Sequence, residues 1–445
     1  MAALGVYGFW GITAAVFVLL FLLGRGDRFP LWVRVFIGLF IGGAVGYFFS
    51  DQTGAVQTIK FFGDAFVKLI RMLIVPLIFT TITAGMIAMG DPKRLGSLGV
   101  RTIFLYMCTT LFAVVIGLVF GTIFQPGVGV DYVSASQDAA NTINSRLDAA
   151  AGLSVADRLL AVIPANPVEA MATADVLPII FFSILFGIGI LAAGERGQRV
   201  GEVMESAADS IIKMTGFVMA LAPYGVYALM AWVLGTQGLG VLVNLGKLAI
   251  ALYLAAAVHI LLVYGGIIRI VLGLPFLRFL RGILDAMATA YSTASSSATL
   301  PVTISNVNRN LGVDKSVAGS VLPLGATINM DGTSIYLGLV ALFAAQALGI
   351  ELTLMQYVGV AVTAVVVSIG AAGIPSASLF LAFTVLSVFG VTEEQAVLII
   401  AFIFPFDRLL DMMRTLTNVT GDAAVATAVG KWEGALDEDI FRGKA

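Results

Sequence analysis

One cysteine, one histidine and few charges stand in a chain of 445 residues. The lone Cys108 excludes an intramolecular disulfide framework and carries no information on redox compartment. Charged residues are only 12% of the sequence against 59% hydrophobic ones, and the net charge of −2 is uninformative because the charges are confined to loops and a few segments. Basic clusters are short and lie beside apolar spans, which argues against nucleic acid as a partner. A mean hydropathy of +1.00 excludes a soluble globular protein. Short alternating apolar stretches, the mark of a membrane barrel, are missing too. The apolar runs are long stretches of Leu, Ala, Val, Ile and Gly, so the chain reads as an all-α polytopic membrane protein.

The runs fall near 8–24, 30–50, 60–90, 100–125, 174–193, 202–235, 238–272, 276–308, 315–348, 354–390 and 395–430. Lys and Arg divide their connectors into two sets. Arg25, Arg28 and Arg34 share one; Lys93, Arg94 and Arg101 another; Arg196 and Arg199 a third. Arg269, Arg278 and Arg281, then Arg309 with Lys315, and Lys431, Arg442 and Lys444 complete the basic set. Connectors near 51–57, 236–240, 349–353 and 391–395 carry none, and the long loop 126–173 has only Arg146 and Arg158. The positive-inside rule places the basic set in the cytoplasm. Segments 276–308 and 354–390 then begin and end on the same side, so neither can cross. Each must enter and turn back as a re-entrant hairpin, with tips at Ser295-Ser-Ser-Ala-Thr-Leu-Pro301 and Gly370-Ala-Ala-Gly-Ile-Pro375. The first run lacks basic residues before it and has them after it, the reverse of a secretory signal, and reads as a retained extra helix.

Into this background the stretch 407–422 puts three aspartates and two arginines. At 100° per residue Asp411, Arg414, Thr415, Asn418 and Asp422 share an arc of about 100° and a row of roughly 16 Å. The three charged members alone would cost about 7.5–10.5 kcal/mol facing lipid, so the row must face protein or a cavity. A structural network pairing Asp411 with Arg414 is the alternative, and it leaves Asp407, Asn418 and Asp422 without a role. Asn329-Met-Asp-Gly-Thr333 interrupts the span 315–348 with turn-formers, so that helix unwinds and exposes carbonyls, or else kinks around a satisfied polar patch. Oxygen ligands without Cys or His suit a hard cation, and a broken helix between oppositely inserted hairpins is the pattern of a cation-coupled secondary transporter.

At these four motifs the chain resembles the dicarboxylate/amino acid:cation symporter family, the glutamate and aspartate transporters, from about residue 30 to 432. The resemblance implies inverted repeats with two helical hairpins and discontinuous helices, in a homotrimer working by an elevator motion in the plasma membrane, the inner membrane of a bacterium. It divides the chain into an extra N-terminal transmembrane helix (1–29), scaffold helices one and two (30–99), transport-core helix three (100–126) and an extracytoplasmic loop (127–173). Scaffold helices four and five (174–236), the rest of the transport core (237–432) and a cytoplasmic tail (433–445) follow. For substrate it implies Arg414 on the side-chain carboxylate of glutamate or aspartate and Asp411 on the ammonium. Thr333, Thr415 and Asn418 would serve as neutral ligands. Ser295 and Ser296, with Ile374, Pro375 and Ser378 of the second hairpin, would hold the α-carboxylate at helix N-termini.

For co-transported sodium ions it implies three sites. One uses Asp422, Asn418, Asn329 and the Gly325 carbonyl; a second uses Asp331 and Asn329 with Tyr106, Thr109 and Thr110. The third uses carbonyls at Thr327, Ser368, Ile369 and Ala371. Relatives hold a further arginine where this chain has Ala294 and Met412, and Arg408 is the candidate substitute. His259, alone in its apolar span, reads as a hydrogen-bonded interior residue in preference to a proton relay. Proton-coupled symport of glutamate, aspartate or a C4-dicarboxylate is the alternative function. An intramembrane protease built on Asp331 with Asp411, or on Ser296 with His259, is the remote one, and it leaves Arg414 and both hairpins unexplained.

Overall fold

The structure, a computed structural model, describes residues 2–25, 29–88, 92–130, 160, 162–368 and 377–443, and these are almost entirely helical. The helices are α1 (Ala2–Gly24), α2 (Leu31–Phe48), α3 (Thr53–Met72), α4 (Ile74–Ala88), α5 (Pro92–Phe124), α6 (Pro167–Ala172) and α7 (Val176–Ala192). There follow α8 (Glu195–Met219), α9 (Ala222–Gln237) and α10 (Gly240–His259), the last continued by π-helical turns at Ile260–Tyr264 and Ile267–Val271. Next come α11 (Phe276–Gly282), α12 (Leu284–Thr293), α13 (Ser296–Arg309), α14 (Lys315–Ile328) and α15 (Asp331–Ala347). The chain closes with α16 (Leu354–Ser368), α17 (Ala377–Ser387), α18 (Glu393–Trp432) and α19 (Glu438–Arg442). Among the described residues six spans are long and apolar enough to cross a bilayer, and the bent pair α8 and α9 makes a seventh.

Two segments differ from the sequence reading. The span expected at 60–90 starts at Thr53 and is interrupted at Leu73. The one expected at 202–235 is two helices bent by 48°. Pro223 stands at the start of α9, where a residue without an N–H opens a new helix at no hydrogen-bond cost and cannot continue the old one.

Both hairpins form. The arms α12 and α13 have 10 and 14 residues, and α16 and α17 have 15 and 11. At 1.5 Å per residue none exceeds about 23 Å, short of the roughly 30 Å a spanning helix needs. Within each hairpin the arms pack on each other. The first is zipped by Asn306 Oδ1, which accepts from the Ala286 N–H at 3.0 Å, and by Asn310 Nδ2, which donates to the Gly282 carbonyl at 2.8 Å. Its tip turns through Ala294 in the left-handed region (φ 52°) into Ser295, whose hydroxyl caps α13 by accepting from the Ala298 N–H at 3.2 Å.

The broken span α14–α15 is buried along nearly all its length and packs against α5 and α18. Its start is capped by Asp314, whose carboxyl is held below the usual range by two bonds from Ser316. α18 starts from a capping box between Thr392 and Gln395. At its far end the chain folds back. Lys431 bonds the Leu272 carbonyl, Arg101 pairs with Glu433, and Arg278 bonds the Phe441 carbonyl, tying α5, α10, α11 and the tail together. α1 lies against α2, α3 and α9. Thr13 shares a 2.9 Å hydrogen bond with Tyr227, and Phe17 packs edge-on against Phe62, Tyr224 and Tyr227.

Candidate functional site

The row on α18 turns inward: Asp411, Arg414, Thr415, Asn418 and Asp422 are all buried. Its first half surrounds Arg414, which is 1% exposed. Nη1 lies 2.8 Å from Asp407 Oδ1 and Nη2 lies 2.9 Å from Asp411 Oδ1, and the guanidinium sits 4.1 Å over the ring of Tyr336. The pairing of Asp411 with Arg414 weighed above therefore exists, widened by Asp407. It does not exhaust the arginine. Nε, Nη1 and Nη2 find no well-aligned hydrogen-bond acceptor among the described residues, although a guanidinium carries five N–H donors. A buried cation held by two ion pairs, with Nε and further N–H donors left over, is suited to receive an anionic ligand.

α15 meets α18 at this level because Gly332 has no side chain. A Cβ there would run into the Arg414 backbone, and the Gly332 N–H donates to Asn418 Oδ1 at 2.7 Å. Thr333 and Ser334 follow at the start of α15, both buried. At the hairpin tips, Ser295, Ser296 and Ser378 are buried as well. Arg408 does reach the first hairpin: Nη2 donates to the carbonyls of Ser292 and Thr293 at 3.3 and 3.2 Å, neutralising the carbonyl end of α12. Ile374 and Pro375 lie outside the described residues.

The second half of the row joins a separate polar cluster. Asn329, in the break, donates through Nδ2 to Asp422 Oδ1 (2.9 Å) and to the Asn418 carbonyl (3.2 Å), while Thr109 reaches Asn329 Oδ1 at 3.4 Å. Thr110 donates to Asp331 Oδ1 at 2.7 Å. A side chain on Gly325 would meet the Asp422 carboxylate and the Tyr106 hydroxyl, so the glycine keeps these groups within contact range. The residues of the first two expected cation sites thus come together. The third falls partly outside the described residues. The Thr327 and Ser368 hydroxyls bond carbonyls of their own helices, and Ile369 and Ala371 lie outside the described residues.

Asp331 has two partners the sequence did not place. Tyr264 donates to Oδ2 at 2.7 Å, and His259 Nε2 lies 3.1 Å from the same oxygen. His259 is fully buried, as an interior hydrogen-bonded histidine should be. The π-turn that begins at Ile260 brings the two together, since residues five apart align when hydrogen bonds run i→i+5. A cation bound at Asp331 would share an already satisfied carboxylate. Among the described residues no three of His, Cys, Asp and Glu gather to hold a metal, so the donor set is one of single carboxylates with amide, hydroxyl and carbonyl oxygens. Asp407 and Tyr336 were also missed. Asp407 lies one turn before Asp411 on the same face, and extending the helical arc backwards would have found it.

Neither protease arrangement is present: His259 engages Asp331, while Asp411 engages Arg414. Residues 31–432 match the sodium:dicarboxylate symporter family. A proton/sodium-glutamate symport protein of Bacillus caldotenax is 34% identical over 91% of this chain and 95% of its own length. One of the same name from Bacillus subtilis is 34% identical over 92% and 94%. A C4-dicarboxylate transport protein of Rhodopseudomonas palustris is 35% identical over 94% and 93%. With the broken span, the paired hairpins and the inward-facing charged row already in place, the match extends over the whole of that architecture: the chain belongs to the sodium:dicarboxylate symporter family, a multi-pass membrane transporter and not an enzyme.

Proposed function

We propose that this protein is a secondary active symporter of acidic amino acids, glutamate or aspartate, driven by sodium ions. The observation that carries the reading is Arg414: buried, charge-paired, and with donors left for a carboxylate. The ligand's side-chain carboxylate engages Arg414 and its ammonium engages Asp411, with Thr333, Thr415 and Asn418 as neutral partners. The α-carboxylate lies at the N-terminus of α13, beside Ser296, and at the second hairpin. A neutral amino acid would leave Arg414 without its anion in a desolvated site.

Sodium accompanies the substrate at Asp422, Asn418, Asn329 and Gly325, and at Asp331 with Tyr106, Thr109 and Thr110. Each net positive charge carried inward through 100 mV supplies about 2.3 kcal/mol. The segments 100–126 and 237–432, with both hairpins, move as the transport core against a scaffold of 30–99 and 174–236, in a homotrimer.

A second reading, proton-coupled symport of glutamate or of a C4-dicarboxylate, is favoured by the contact of His259 with Asp331 and by the names of the relatives. Uptake of labelled glutamate, aspartate and succinate into proteoliposomes separates them. Accumulation of the amino acids under an inward sodium gradient is expected; accumulation under a pH gradient alone would overturn sodium coupling.

A further inference from the structure

Of the three aspartates in the α18 motif, Asp407 alone has no part in the assignments above. It is 1% exposed and makes one of the two ion pairs that hold Arg414. Its other face lines a small cavity with Arg408, Phe404 and residues of α2, α8 and α9, namely Leu31, Val35, Met219 and Ala222. Within that cavity wall Asp407 Oδ2 and Arg408 Nε have no hydrogen-bond partner among the described residues. Asp407 stands one turn from Asp411, about 6 Å along the helix axis.

Charge counting turns this placement into a constraint on the ligand. Arg408 and Arg414 balance Asp407 and Asp411, so the four-residue set is neutral. An acidic amino acid adds one net negative charge to it, and a C4-dicarboxylate adds two. In a desolvated site each uncompensated charge is costly. Asp407 therefore penalises the dianion more than the amino acid, whose ammonium it attracts along with Asp411. Deleting its charge reverses the bias.

We propose that Asp407 is a positioning and specificity-determining residue: it anchors the Arg414 guanidinium over Tyr336 and sets the pocket's charge so that a ligand bearing one ammonium is preferred to a doubly charged dicarboxylate. The proposal rests on the reading of the row as the substrate site. Its test is isothermal titration of the purified full-length protein with glutamate and with succinate at fixed sodium, scored as the ratio of the two affinities. Asp407→Asn lowers the glutamate-over-succinate ratio by at least about tenfold, the scale of one elementary charge acting over this distance at an effective dielectric constant near 20. Asp407→Glu, which keeps the charge, stays within about threefold of the unmodified protein, the residual difference being geometric. Arg408→Gln, which removes the opposite charge, moves the ratio the other way and serves if Asp407→Asn does not fold.

A ratio unchanged in both Asp407→Asn and Arg408→Gln, or one that moves equally in Asp407→Asn and Asp407→Glu, overturns the proposal and leaves the substrate site standing. Failure of the unmodified protein to bind either compound overturns the substrate reading itself.

Discussion

Replacing Arg414 by alanine removes the cation that touches both Asp407 and Asp411 and leaves two buried carboxylates one helical turn apart. Each ion pair has its charge centres about 4 Å apart, where Coulomb attraction at an effective dielectric constant of 20 is about 4 kcal/mol. Breaking a buried pair by removing one partner typically costs about 3–5 kcal/mol, because the other charge is left uncompensated. The stacking on Tyr336, worth roughly 0.5–2 kcal/mol, is lost as well. The single variant should therefore lose about 3.5–7 kcal/mol of unfolding free energy, taking the broken pair and the lost stacking together. The assay is unfolding in mixed micelles of Arg414→Ala, Asp407→Asn and the double variant. If the ion pair is real, Asp407→Asn in the Arg414→Ala background should recover stability. The double variant should then be more stable than the sum of the singles by about 2 kcal/mol or more, whereas independent sites add to within about 0.5 kcal/mol. Additivity would refute the pairing. In the same proteins, undiminished binding of glutamate and aspartate to Arg414→Ala would refute its assignment as the carboxylate ligand.

Gly332→Ala would place a methyl group against the Arg414 backbone, which cannot give way as a side chain can. It should cost about 1–3 kcal/mol and weaken substrate affinity together, and an unchanged unfolding midpoint would count against the contact. Tyr264→Phe removes a 2.7 Å bond to the Asp331 carboxylate and should cost about 1.5–3 kcal/mol in the same assay, with no loss of stability arguing that Asp331 is held otherwise. Thr13→Val breaks the bond between α1 and Tyr227. Interhelical hydrogen bonds in membranes are worth only about 0.6–1.7 kcal/mol, so the midpoint should fall slightly while transport persists; abolished transport would give α1 a larger part than packing.

The hairpins were legible because a topological contradiction does not depend on knowing the fold. Basic flanks on both sides of 276–308, and none on either side of 354–390, leave no way to cross. The break at Asn329–Met330 was legible because Asn, Asp and Gly together disfavour a helix wherever they stand. The inward face of α18 followed from its period and from the cost of charge in lipid. The identities of the partners did not follow. Asp407 was within reach of the same arc, and only the distances reveal that Arg414 divides itself between two carboxylates. His259 and Asp331 are 72 positions apart, and no local pattern announces their contact. The π-turn that brings Tyr264 beside His259 has no signature in an apolar run.

From residue order alone came a polytopic helical bundle with two inserted hairpins, a broken span and a charged face turned away from lipid. Hydropathy and helical period act between residues a few positions apart, so they are already decided in the unfolded chain. Which acid neutralises which base, and that Tyr264, His259 and Thr110 are the partners of Asp331, was decided only once four helices had packed. Several partners are chemically equivalent for a buried carboxylate, and the packing of distant segments selects among them.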